Sequence, residues 1–181
     1  SPDRPQSAAP VARRPPPKDN GSVVVLGVDS PEKLEFCAAL ARQLGGTAIA
    51  MQRLLTRAVQ TGDSPEEQQV RTLMLTGKIV PPAPKLMLLR RAAAGARTPL
   101  VLSGFPETDT ERSALEAVLG PVGCAVQLVD TTAAQQQSNS TAAAQLGLGL
   151  VATTLPMDAK AVEAAAAAYA NAKSGGSRAA A

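Results

Sequence analysis

The apolar run Val23–Val28, VVVLGV, constrains the fold more than any other part of the sequence. It has no polar residue that would face water, and four of its six residues are β-branched valines. Such a run is typical of a strand that is buried on both faces. Strands of this kind belong to parallel sheets with helices packed on each side. The run therefore predicts an α/β core.

Strand and helix patterns alternate along the rest of the chain. Pro31 favours the first turn of a helix that is capped by Asp29 or Ser30 and ends at Gly45. Further strands are predicted at 47–50, 99–104, 125–129 and 148–155, and further helices at 51–61, 64–77, 108–119 and 158–173, with one more that starts within Pro81–Pro84 and contains LMLLRRAAAGA. This alternation predicts a five-stranded parallel sheet with helices on both faces.

Composition divides the chain into three parts. Residues 1–21 contain six prolines and few large apolar groups, so we expect a proline-rich linker or arm. Its PPP run with flanking basic residues fits either a plain linker or a ligand for a proline-reading domain. We expect one folded domain over 22–173 and a flexible tail over 174–181. Within the domain, QQQSNST is of low complexity and fits loop, short helix or both.

The charge distribution argues against a nucleic-acid partner. The net charge of +3 comes from the two ends: residues 1–21 carry four basic and two acidic groups, and Arg178 adds one more. The remaining 13 basic and 13 acidic residues cancel. Aromatic residues make up only 2% of the chain, so bases would find few rings for stacking. We therefore expect no basic groove.

The lack of a long apolar run and of histidine excludes further classes of function. No apolar run is long enough to span a bilayer, so we expect a soluble, cytoplasmic protein without a membrane partner. The chain has no His, which removes the commonest metal ligand and general base, and we expect no metal site. Cys37 and Cys124 lie in apolar surroundings and are predicted to be reduced and buried.

A phosphate-loop spacing follows the first strand, because Gly27 and Lys33 lie six residues apart. With Cys37 further along the helix, the Leu54-Leu55 pair, TGKIVPP, GFP at Gly104–Pro106 and LVD at Leu128–Asp130, the chain resembles the adenylate kinase family, the P-loop kinases of nucleoside monophosphates. The resemblance covers about Val23 to Lys173. It implies a P-loop kinase fold and makes Gly27 and Lys33 the cofactor-binding residues.

The chain departs from that family where phosphate and magnesium are held. Pro31 removes a donor N–H, and Glu32 brings a carboxylate to the anion site. Further departures are Ser30, Leu34, Glu35, Thr56, Ser103 and Glu107, and the lid looks reduced to QQQSNST. The resemblance thus implies a vestigial phosphate loop with residual ATP or AMP binding at most, and Lys33 paired with Glu32, Glu35 or solvent. We expect no cofactor and no catalytic residue.

These patterns favour a protein that is not an enzyme but a degenerate adenylate kinase-like module. Its expected role is structural, through contacts with other proteins of a large complex. A nucleotide sensor without turnover and an active nucleoside monophosphate kinase are the alternatives. Degenerate domains of this family recur in ciliary and flagellar axonemes, and the runs of Ala, Gln and Gly resemble proteins of algae and protists that have them. An organellar assembly fits the sequence equally well.

Overall fold

The computed structural model describes residues 21–129, 150–154 and 159–175. In chain order the strands and helices are β1 (Ser22–Leu26), α1 (Pro31–Leu44), β2 (Thr47–Ala50), α2 (Met51–Thr61), α3 (Pro65–Leu75), α4 (Pro82–Ala93), β3 (Leu100–Ser103), α5 (Asp109–Leu119), β4 (Val122–Val129), β5 (Leu150–Thr154) and α6 (Ala159–Gly175). None of the described helices is long and apolar enough to cross a membrane.

The strands form one sheet in the order β2-β3-β1-β4-β5, and each neighbouring pair is parallel. The central strand β1 is enclosed on both faces, since Val23, Val24 and Val25 are at most 1% exposed. The predicted α/β fold with a parallel sheet is therefore confirmed. Because all strands run the same way, their carboxyl ends meet at one edge of the sheet, where such folds place their ligands.

Helices cover both faces of the sheet, as predicted. Along β3, Leu100 and Leu102 pack into one apolar cluster and Val101 into the other, because successive side chains of a strand point to opposite faces. The Val101 cluster joins β1 and β4 to α1 and α6, with Leu40 and Tyr169 among its members. The second cluster packs α2, α3, α4 and α5 against the other face.

Local signals fix the ends of the helices. Ser30, not Asp29, is the N-cap of α1: its hydroxyl accepts a hydrogen bond from the backbone N–H of Lys33 at 3.2 Å. Gly45 ends the helix at φ 70°, a conformation that glycine adopts without strain. Ser64 and Glu67 form a capping box at the start of α3. These contacts confirm the predicted start and end of α1.

Several predicted boundaries differ from the structure. β4 begins at Val122, three residues before the predicted start, because its first residue pairs with Ser22 and its N–H donates to Glu116 Oε1 at 3.1 Å. α3 ends at Leu75 instead of Gly77. The predicted arm up to residue 20, the QQQSNST segment with Asp130, the Asp158 cap and most of the tail lie outside the described residues.

The turn between α1 and β2 packs tightly against the start of β3. The backbone N–H of Thr47 donates to Pro99 O at 3.1 Å, which brings the two segments together. A Cβ at Gly46 would lie 1.9 Å from the same carbonyl oxygen. Only glycine fits there. Gly45 has open space around its missing Cβ but needs a positive φ.

We predict that Gly46→Ala lowers the free energy of unfolding by about 3 kcal/mol, because the new methyl group must displace the backbone of Pro99, the residue before β3. Gly45→Ala is the matched control and should cost only about 1 kcal/mol through its left-handed conformation. Urea unfolding of both variants measures the difference. Equal losses for the two variants would contradict the close packing at Gly46.

Candidate functional site

The main cavity near the predicted site opens at the carboxyl ends of β1, β3 and β4 and has a volume of about 360 Å³. Its lining residues are Val25, Leu26, Gly27, Val28, Asp29, Lys33, Gly104, Phe105, Pro106, Glu107 and Gln127. Both residues predicted as cofactor-binding, Gly27 and Lys33, line this pocket. The GFP turn, found from the sequence, forms its opposite wall.

Gly27 directs the chain from β1 into the loop before α1. Its φ is 129°, which a residue with a side chain rarely adopts. A Cβ here would also lie 3.1 Å from Leu128 O. The glycine therefore lets the loop pass close to β4. Its own carbonyl oxygen accepts a hydrogen bond from Lys33.

Lys33 supplies the positive charge of the pocket. Its Nζ donates to Gly27 O at 2.9 Å and to Asp29 Oδ1 at 3.0 Å. The lysine side chain is 3% exposed and the aspartate side chain 59% exposed. The expected pairing of Lys33 with Glu32, Glu35 or solvent is therefore wrong. Helical side chains lean toward the N-terminus, so Lys33 reaches back into the loop while both glutamates stay exposed.

The start of α1 offers few backbone donors to an anion. Pro31 has no N–H, and the N–H of Lys33 is taken by the Ser30 hydroxyl. The N–H of Leu34 donates to Ser30 O. An anion at this helix terminus would therefore depend on the Lys33 ammonium more than on the backbone.

The GFP wall is held by a buried ion pair that the sequence did not reveal. Lys85 Nζ lies 3.1 Å from Glu111 Oε1, and both side chains are buried. The other oxygen of Glu111 accepts a hydrogen bond from the Glu107 N–H at 2.8 Å. The Glu107 carboxylate is 66% exposed and 3.9 Å from Lys85 Nζ. Glu111 thus orients the residue after GFP, but 26 residues separate it from Lys85, so no local pattern marks the pair.

The charges of the pocket suit a ligand with few negative charges. Among the residues that line the pocket, Lys33 is the one cation and Asp29 and Glu107 are the two carboxylates, so the lining carries a net charge of −1. Two like charges about 4 Å apart cost roughly 4 kcal/mol at an effective dielectric constant of 20. A triphosphate therefore fits these residues poorly. One phosphate or carboxylate fits if it takes the place of Asp29 on Lys33.

Gln127 adds a neutral polar group that sequence reasoning missed. It belongs to β4 and is 3% exposed, yet neither its side-chain nitrogen nor its oxygen has a hydrogen-bond partner. The available signal was a single amide within the otherwise apolar segment CAVQLV. Buried amide groups almost always have partners, so this one marks an unusual position.

Cys37 lies one helical turn after Lys33, on the buried face of α1. Burial raises the pKa of its thiol to about 11, while the Lys33 ammonium and a hydrogen bond with Ser103 oppose that rise. Cys124 is also buried, and burial raises its thiol pKa. Both cysteines are free, as predicted.

Other residues considered from the sequence lie away from the pocket. Thr56 and Arg57 are exposed on α2, and the Thr56 hydroxyl donates to Gln52 O in its own helix. Arg91 contacts Glu66 and Glu67 on α3. The structure therefore does not bring a second cation to Lys33 from these positions.

No family of protein domains and no curated protein matches the sequence. Among solved structures, the chain is similar to a gluconokinase from Sinorhizobium meliloti 1021, with 20% sequence identity and a TM-score of 0.55. The match covers 90% of this chain and 99% of the gluconokinase. The chain therefore has a P-loop kinase-like fold.

This finding corrects one expectation. The sequence led us to expect a protein that is not an enzyme, on the ground of the departures at the phosphate loop. The fold is shared over 90% of this chain with a gluconokinase, a protein named as a kinase. The expectation of a non-enzyme is therefore wrong.

We predict that the free energy of unfolding falls in alkaline solution because the Cys37 thiol ionises more readily in the unfolded chain than in the folded one. The unfolded thiol ionises near pH 9.0, whereas the folded thiol stays protonated up to about pH 11, so its stabilising effect is complete below pH 9.0 and is lost between these values. Between about pH 8 and about pH 10.5, the stability advantage of wild type over Cys37→Ala should shrink by about 2 kcal/mol. Urea unfolding at both pH values measures this, and a constant difference would contradict it.

Proposed function

We propose that this kinase-fold chain binds a nucleotide in the pocket, with one phosphate on the Lys33 ammonium. The main support for the proposal is the hydrogen bond that the Lys33 ammonium donates to the Asp29 carboxylate. An anionic ligand would bind at the same place as that carboxylate. The pocket thus already has an anion-binding contact at the end of the central strand. A nucleotide phosphate would replace the carboxylate of the chain itself.

The exposure of the two partners supports this exchange. Lys33 is buried and anchored by Gly27 O, so it stays in place when its second partner leaves. The Asp29 side chain is 59% exposed and can turn into water, where a free carboxylate is well solvated. The exchange therefore costs one charge-assisted hydrogen bond and forms another.

The same charges predict which nucleotide binds better. After the exchange, Asp29 and Glu107 still lie at the pocket, so each further phosphate meets these two carboxylates. The cation beside Glu107, Lys85, is buried and already paired with Glu111. We therefore propose that a nucleoside monophosphate is preferred to a triphosphate in the absence of magnesium. Gluconate, the sugar acid in the name of the similar structure, also offers a single anion and is the natural comparison ligand.

We predict that Asp29→Asn tightens the binding of AMP about tenfold, because the variant loses a competing charge worth roughly 1.4 kcal/mol. Lys33→Met should abolish binding while the protein stays folded. Glu35→Gln is the matched control, since it removes an exposed carboxylate of the same helix, and should change the affinity little. Calorimetric titrations with AMP, ATP and gluconate, with and without magnesium, measure these effects.

Two results would overturn the nucleotide proposal. One is the absence of heat with millimolar AMP and ATP for both wild type and Asp29→Asn, when circular dichroism shows folded protein. The other is binding that is unchanged in Lys33→Met. Heat with gluconate alone would assign the pocket to a sugar acid instead.

A second candidate function is assembly into a larger protein complex, and an exposed apolar surface favours it. Leu75 at the end of α3 is 69% exposed, and Ile79 in the turn to α4 is 90% exposed. We call these two residues the α3 tip. Large apolar side chains this exposed and this close along the chain are suited to contact with another protein. The tip belongs to α3 and the following turn, and neither residue lines the pocket.

For the partner we propose other proteins of a ciliary or flagellar axoneme. Two features of the sequence support this choice: the resemblance to a family whose domains recur there, and the runs of Ala, Gln and Gly. The proline-rich residues 1–21 would connect the domain to its neighbours. In this proposal the chain is a cytoplasmic component of the axoneme.

We predict that purified wild-type protein sediments with isolated, salt-washed axonemes and that Leu75→Ser with Ile79→Ser reduces the bound fraction severalfold. The double variant removes most of the exposed apolar area of the α3 tip. Val118→Ser is the matched control, because Val118 is 42% exposed on α5 and should be neutral. Equal sedimentation of all three proteins, or none for wild type, would contradict the assembly proposal.

A further inference from the structure

Among the described residues, Gln127 is the one whose buried side chain lacks hydrogen-bond partners. It is 3% exposed, and both of its polar side-chain atoms lack a partner. Its backbone lies within the sheet, opposite Leu26 on β1 and Ala152 on β5. The strand therefore fixes the position of the residue but leaves its side chain without a hydrogen bond.

Packing alone does not account for a glutamine here. Its neighbours Val126 and Leu128 are apolar and pack into the cluster that joins the sheet to α1 and α6. Because side chains alternate along a strand, Gln127 lies on the opposite face. It meets Lys33 at the carboxyl edge of the sheet, where both residues line the pocket. An apolar residue of similar shape would avoid the cost of burying an unpaired amide.

We propose that Gln127 recognises a neutral group of the ligand, one that presents a hydrogen-bond donor beside an acceptor. This inference rests on the proposed function for the presence of a ligand in the pocket, and it adds the polar part of that ligand. A primary amide offers one acceptor and two donors in one plane. Its planar complements are the edge of a nucleobase and another carboxamide.

In this proposal Lys33 and Gln127 bind different parts of the same ligand. Lys33 takes one anionic group in place of Asp29, and Gln127 takes the neutral group. The carboxyl end of β1 lies between them, since Gly27 contacts Lys33 and Leu26 pairs with Gln127. The ligand class is thus a molecule with a single anionic group and a planar amide-like edge.

The test uses Gln127→Met, which keeps the shape of the side chain and removes its hydrogen bonds. The unliganded variant should melt about 2–4 °C higher than wild type, because an unpaired buried amide is gone. Its affinity for AMP and adenosine should fall about tenfold, while inorganic phosphate should bind both proteins equally. Gln60→Met, at an exposed position of α2, is the matched control and should change neither quantity.

A second measurement follows ligand binding directly at the Gln127 side chain of the wild-type protein. The side-chain N–H signals of Gln127, assigned in ¹⁵N-labelled protein by their loss in Gln127→Met, are followed during titration with adenosine, uridine and nicotinamide. The first two probes carry nucleobase edges and the third a carboxamide. We expect at least one of them to shift these signals, and the stronger response identifies which of the two edges is recognised.

The outcomes separate this inference from the proposed function. AMP binding that needs Lys33 but is unchanged in Gln127→Met, with no shift of the Gln127 signals, overturns the inference and leaves nucleotide binding standing. Shifts with adenosine, uridine or nicotinamide, together with AMP binding that is unchanged in Lys33→Met, support Gln127 recognition and overturn the role of Lys33. No shift with any probe overturns the assignment of Gln127.

Discussion

Burial of β1 on both faces is the constraint on which the rest of the structure depends. Val23, Val24 and Val25 are almost completely enclosed, and enclosure on two faces requires helices above and below the sheet. The backbone N–H and C=O groups of such a buried strand also need hydrogen-bond partners, which β3 and β4 provide through parallel pairing. The loop after β1 therefore lies at the middle of the edge formed by the carboxyl ends of the strands, and the pocket forms there.

Placement at the central strand explains why the pocket contains a buried charge. Lys33 is carried by the first turn of α1, and the covering of the sheet leaves its side chain 3% exposed. A buried ammonium without a partner is strongly unfavourable, so the loop supplies Asp29 and Gly27 O. The same contacts that stabilise the folded chain also decide which anions can enter, because a ligand must match what Asp29 already provides.

Sequence patterns predicted those parts of the fold that are set locally. Ser30, Pro31 and Gly45 defined α1 because capping and left-handed termination depend on neighbouring residues. The start of β4 was predicted too late, since pairing with Ser22 and a contact with Glu116 extend it. Parallel order followed from the apolar strands and the alternation of elements, which are also visible in the sequence.

The site was predictable only in part, for the same reason. The spacing of Gly27 and Lys33 was informative because both belong to one strand-loop-helix segment. The pair of Lys85 and Glu111 was missed because it joins two helices whose approach is set by tertiary packing. The absence of partners at Gln127 was also beyond the sequence, which shows a polar residue in a strand but not what surrounds it.

The positions that break local rules gather at one place in this fold. Lys33 buries a charge at the pocket, and Gln127 buries an amide that has no hydrogen-bond partner. At the other end of β3, Gly46 and Pro99 also pack closely, but this contact lies away from the pocket and stabilises the fold. Natural proteins keep unfavourable local choices mainly where a function depends on them. The concentration of such choices around a single pocket argues that the chain retains this edge of the sheet to bind a ligand.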